Sequence, residues 1–212
     1  AGSTVAVPTI RVLDADRQET VLAVLCAETL QVRERQLNGL TTVLRDTVNP
    51  WLIPANRPHV RLALQARSGD YGGELLVSAK PTTVTGMCAA SVRFTETVQE
   101  ETYLFDLNID GGLEQFSFTA PKHLAEARLD APLLRRTSMT PETDAERIRF
   151  TLEFQDQLTG NCRILLEHDR LPPGNIQTIT CPAADMPLKY YCVIENAGRD
   201  EVSATPMDDG DA

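Results

Sequence analysis

Residues 59–67 alternate polar and apolar side chains with a period of two, and residues 103–110 do so again, with Tyr103, Phe105, Leu107 and Ile109 interleaved by Leu104, Asp106, Asn108 and Asp110. That period suits a strand with two distinct faces and suits no helix, whose apolar positions recur every three or four residues. Further strands are expected at 5–13, 74–79, 82–84, 89–98, 101–109, 115–119, 147–154, 162–168, 176–180 and 190–194. The alternating 59–67 segment, the glycine-rich stretch 68–73 and segment 74–79 read together as a hairpin. Neither a following helix nor a Lys-Ser/Thr pair accompanies these glycines, so they do not form a phosphate cradle.

One region carries a different period. Between residues 18 and 48, Leu22, Leu25 and Thr29 make one stripe, and Leu37, Leu40, Leu44 and Val48 follow at spacings of three and four. The spacing predicts an amphipathic helix, long or broken at Asn38-Gly39, and stopped by Asn49-Pro50. A helix followed by a run of strands implies an α+β fold: a long N-terminal amphipathic helix packed on a mostly antiparallel β-sheet or sandwich. A single domain over residues 1–200 and an acidic tail over 201–212 are expected. The tail has little apolar surface to bury, so holding it in place would require a neighbouring subunit.

Smaller features fill in the rest. Thr119-Ala-Pro121 is suited to start a short helix, with Leu124 and Leu129 on one side. Residues 130–144 lack a pattern and read as a surface loop, or as a second short helix beginning after Thr140-Pro141, that could serve as an interaction arm. Val84-Thr-Gly-Met-Cys88 and Leu158-Thr-Gly-Asn-Cys162 each place a Thr-Gly turn two residues ahead of a cysteine that opens a strand.

Thirty acidic against twenty basic residues give a net charge of -10. A chain of that charge repels phosphate backbones, which argues against general nucleic-acid binding. The longest clean apolar run, residues 21–27, is far short of the roughly 20 residues that span a bilayer, so no membrane span is expected.

The five cysteines, at 26, 88, 162, 181 and 192, show no CxxC or CxxxH spacing, which argues against a local zinc site. Cys26 lies in an apolar run and reads as a small buried hydrophobe. Among the other four, Cys181 with Cys192 and Cys88 with Cys162 are the disulfides that spacing suggests. Cys162 and His168 stand six strand residues apart, roughly 20 Å at about 3.3 Å per residue, and form no local dyad. In Glu167-His168-Asp169 the strand geometry points the carboxylates away from the imidazole.

The candidate binding motif is Asp106-x-Asn108-x-Asp110-Gly-x-x-Glu114, whose oxygens recur at the first, third, fifth and ninth positions as in calcium loops. It does not complete an EF-hand, because Ser117 stands at the twelfth position and the flanks read as strands. The plainer reading of the same residues is a hairpin turning at Asp110-Gly111 and returning through Phe116 and Phe118. Calcium, at Asp106, Asn108, Asp110 and Glu114, is the one cofactor the sequence suggests.

With no local catalytic motif, the sequence points first to a non-enzymatic structural or interaction subunit of a larger assembly, a shell, tail or surface appendage, with copies of itself or other chains as partners. An exported disulfide-stabilised binding domain is the alternative, and a hydrolase with a spatially assembled carboxylate pair the third. An extracytoplasmic setting or an extracellular assembly is the expected location.

Overall fold

The computed structural model describes residues 2–171 and 179–198. Of these residues strand accounts for 62% and helix for 9%, all of the latter in short 3-10 turns. By its internal contacts the chain forms two compact units. One holds the residues up to Thr83 together with Asp110–Gly112, and the other Val84–Ile109 and the chain from Leu113 onward.

The first unit contains two antiparallel three-stranded sheets. In one, β6 (Gly72–Ala79) lies between β1 (Ser3–Ala6) and β3 (Leu30–Asn38); in the other, β5 (Val60–Ala66) lies between β2 (Thr20–Leu25) and β4 (Thr41–Val43). The expected long N-terminal helix, and with it the α+β class, is therefore corrected: residues 18–48 form β2, β3, β4 and the 3-10 turn Arg45–Thr47.

The reason lies in two-sided burial. Leu22 and Val24 of β2 pack on a core of Val7, Leu40, Leu64, Ala66, Tyr71 and Leu75, while Val21 and Ala23 pack on Val48, Val60 and Ala63. A strand covered on both faces shows no polar alternation, so its apolar run resembles a buried helix. The Leu37-Leu40-Leu44-Val48 stripe is likewise no single face: Leu37 and Leu40 join one core, Val48 the other, and Leu44 is 80% exposed. The β-branched Val32, Thr41, Thr42 and Val43 favour the extended backbone over a helix. Gly39, at φ 66°, carries the chain from β3 in one sheet to β4 in the other.

Strands β5 and β6 form where the alternation predicts, but the expected hairpin between them is also corrected, because they belong to different sheets. Their connection is pinned by Tyr71, whose hydroxyl accepts a 2.9 Å hydrogen bond from the Ile10 amide and whose carbonyl accepts one from the Thr9 hydroxyl.

In the second unit a larger sheet runs β10 (Leu134–Pro141), β11 (Arg147–Arg170), β8 (Gln99–Pro121), β7 (Thr83–Phe94), β13 (Lys189–Asn196). Two short strands join it: β9 (Arg128–Asp130) on β11 and β12 (Ala183–Ala184) on β8. Strand β13 lies parallel to β7. The segments expected as separate strands at 101–109 and 115–119 are one strand, β8, and those at 147–154 and 162–168 are one strand, β11. The hairpin turn expected at Asp110-Gly111 is a position inside β8, with Gly111 at φ 95°.

The β8–β11 ladder shifts register between Glu153 and Leu158 and again between Leu158 and Gly160. Extra residues of this kind bend a strand pair sharply. Across the bend, Phe105 from the leading half of β8 meets Phe116 at 5.1 Å and Phe118 at 4.9 Å from the trailing half, and Phe118 stacks on Phe150 at 4.8 Å. These rings, with Leu107, Leu152, Ile164 and Leu166, make the core of the unit. The chain then continues from β8 into the 3-10 turn Lys122–Glu126, whose Leu124 is fully buried. Residues 130–144, expected as a loop or a short helix, supply β10.

The expected strand at 176–180 falls mostly on residues 176–178, outside the described residues, as does the acidic tail 201–212. Among the described residues no helix is long and apolar enough to cross a membrane.

Candidate functional site

The inward face of β8 is apolar from Tyr103 to Ile109 and turns polar at its start. Gln99 is 0% and Glu101 2% exposed, the two buried polar or charged residues among the described ones. The register sets His168 opposite Glu101 and Arg170 opposite Gln99 on β11, and the 3-10 turn after β8 brings His123 back over the same spot. A buried carboxylate is costly unless paired and hydrogen-bonded, and here both of its oxygens are engaged. Gln99 Nε2 donates to Oε1 at 2.6 Å, the Tyr103 hydroxyl donates to Oε2 at 3.0 Å, and His123 Nε2 lies 2.8 Å from Oε2. Arg170 Nε stands 2.7 Å from Oε1 without the alignment of a hydrogen bond, so that contact is one of charge.

Burial, then the Glu101 charge and the hydrogen bond to it, push the Tyr103 phenol above its usual range, so Tyr103 stays a neutral donor. The imidazoles of His123 and His168 have centroids 5.5 Å apart. One nitrogen of each and one Glu101 oxygen all lie within 4.8 Å of one another. Among the described residues, His168 Nδ1 and Gln99 Oε1 are buried with no hydrogen-bond partner. Two imidazoles and one carboxylate form a donor set suited to a divalent transition metal.

Three of the five cysteines interact with one another in the same unit. Burial, and after it Cys181, raises the Cys88 thiol to about 12; burial, then Cys192, raises Cys181, which hydrogen-bonds to Cys192. Cys181 also adds to the rise at Tyr103. All five cysteines are free thiols. Cys26 is half-buried, and Cys162 sits in the core opposite Leu107.

The calcium-loop residues occupy the outward face of β8. An extended strand sets such side chains about 7 Å apart, in a row rather than around a point. Asp106 pairs with Arg163 at 3.3 Å, Asn108 is exposed opposite Asn161, Asp110 pairs with Lys80, and Glu114 accepts from Gln157 Nε2 at 2.8 Å. Sequence reasoning missed Glu101, His123 and His168 as a group, because 22 and 45 residues separate them pairwise along the chain.

A second feature lies at the edge of the same unit. Every residue of β13 is exposed, and it ends the sheet with no strand beyond it among the described residues. Tyr190, Tyr191, Val193 and Ile194 give it apolar side chains on both faces. In the first unit, Leu44, Trp51 and Ile53 are also exposed within ten residues of chain, Trp51 by 82%. No family model, curated protein or solved structure matches the chain.

Proposed function

We propose that this protein is a structural or interaction subunit that joins a larger assembly by adding strands at β13, with a second copy of itself as the first partner. The observation that carries the reading is the exposed apolar edge. Natural sheets protect such edges with charge, proline or cover, because unpaired backbone groups recruit another strand. Here the apolar side chains Tyr191, Val193 and Ile194 stand in the middle of the edge, and the charges stand at its ends.

The order of residues suits self-pairing. An antiparallel second copy centred on Cys192 sets Lys189 opposite Glu195, Tyr190 opposite Ile194 and Tyr191 opposite Val193, twice over by symmetry. Opposite charges and apolar pairs then meet at every position flanking the centre. Exposed apolar side chains at Leu44, Trp51 and Ile53 add to the surface such an assembly can cover.

Light scattering across a concentration series tests this. The unmodified chain is expected to be a multimer, and Val193→Lys, which places a charge opposite Tyr191, is expected to give a monomer that still unfolds cooperatively. A monomer at all concentrations, or a multimer indifferent to Val193→Lys, overturns the β13 reading.

A further inference from the structure

We infer that Glu101, His123 and His168 form a binding site for one divalent transition-metal ion, of which zinc is the representative. The inference stands on the interior of the second unit and does not depend on how copies associate. Three observations carry it. The donor atoms already converge, with one oxygen and two ring nitrogens mutually within 4.8 Å and the Glu101–His123 contact at 2.8 Å. Ligands bound at about 2.0–2.2 Å around one ion stand roughly 3 Å apart, so little movement is needed.

The second observation is His168 Nδ1, buried with no hydrogen-bond partner among the described residues. A neutral imidazole has one donor and one acceptor nitrogen, and burying either without a partner is unfavourable. A metal ion held between the two imidazoles would engage the His168 ring, one of whose nitrogens lies within 4.8 Å of the other donors.

The third is the division of labour at Glu101. Gln99 and Arg170 both face Oε1 and fix the carboxylate, leaving Oε2 toward His123 and the Tyr103 hydroxyl. Outer residues that orient a ligand in this way are a regular part of metal sites. The Arg170 charge lowers cation affinity, but it acts on Oε1 and not on the oxygen that faces His123. The Tyr103 hydroxyl, 3.0 Å from Oε2, is a further oxygen beside the site. Two nitrogens among three ligands select zinc, cobalt, iron or nickel over calcium and magnesium, which take oxygen.

Cobalt(II) titration of the purified full chain under reducing conditions tests the site, because its visible bands report both stoichiometry and ligand type. The expected result is one equivalent, with ligand-field bands, no thiolate charge-transfer band, and displacement by zinc. His123→Ala and His168→Ala are each expected to weaken binding at least tenfold, while Cys181→Ser leaves it unchanged. His123 is partly exposed, so its variant keeps the fold, and circular dichroism verifies this for both. Absence of binding at stoichiometric cobalt, a thiolate band that moves the ion to the cysteines, or indifference to both histidine variants overturns the inference.

Discussion

Replacing Glu101 by Gln changes one charge in the most enclosed polar cluster of the second unit while keeping the shape of the side chain. The carboxylate accepts at both oxygens, whereas the amide accepts at one and donates at the other. Its NH2 end turns toward Tyr103 and His123, since a hydroxyl and an imidazole can each switch from donating to accepting, and neither Gln99 Nε2 nor Arg170 Nε can. What is lost is the charge partner of Arg170. Removing one member of a fully buried pair costs about 3–5 kcal/mol. The Arg170 side chain is 23% exposed and that of His123 31%, against 1% for Glu101, so water takes up part of the unbalanced charge and the expected cost falls to about 2–3 kcal/mol. For a chain of this size that is a fall of about 4–12 °C in melting temperature, or about 1 M in urea midpoint. Chemical denaturation of the metal-free protein, followed by circular dichroism, measures it. Arg170→Met on its own should also destabilise, and the double variant should be less destabilised than the sum of the singles. A Glu101→Gln chain within about 0.5 kcal/mol of the parent, or strictly additive costs, would refute the pairing argument.

Three other expectations follow from the same geometry. Cys88 keeps its proton in the folded chain up to about 12 while the unfolded chain gives it up near 9.0, so its contribution is whole below pH 9.0 and drains as the pH rises toward 12; at about pH 10.5 the loss is roughly 2 kcal/mol, and urea denaturation should show a shallower alkaline decline in Cys88→Ala. If the two slopes coincide, Cys88 does not titrate as its burial implies. Gly86 sits at φ 154°, and a Cβ there would lie 2.2 Å from the Asp106 carbonyl oxygen, so Gly86→Ala should cost about 2–4 kcal/mol in a thermal melt; a neutral substitution would mean that β7 and β8 do not approach this closely. Mild oxidation with diamide should link Cys181 to Cys192 first, since these thiols already hydrogen-bond; peptide mapping that finds a different first pair contradicts that contact.

The strands were legible in the sequence where one face is buried and the other wet. Tyr103, Phe105, Leu107 and Ile109 alternate with polar neighbours in the structure as in the sequence, and the carboxylates of Glu167 and Asp169 are exposed while His168 turns inward. The pattern failed where it carries no information. β2 is apolar on both faces, so its letters fit a helix equally well, and pairing partners many residues apart left no local trace of the bend in β8 and β11. Asp110-Gly111 has turn chemistry, but at this point glycine serves a bulge inside one long strand.

One sign of the buried cluster was present. Extending the parity of Phe105 and Tyr103 backward places Glu101 and Gln99 on the apolar face, and extending that of Ile164 and Leu166 forward places His168 and Arg170 there too. A charge on a core-facing position asks for a partner. What parity alone could not supply was His123, which reaches Glu101 only because the ladder folds over on itself.

Hydrogen exchange along β13, measured at two protein concentrations that bracket assembly, tests the proposed association most directly. Residues 189–196 are predicted to exchange slowly when concentrated and quickly when diluted, in step with the native mass. Protection of β13 that does not change with concentration, or concentration-dependent protection confined to other strands, would contradict the claim that this edge joins the copies.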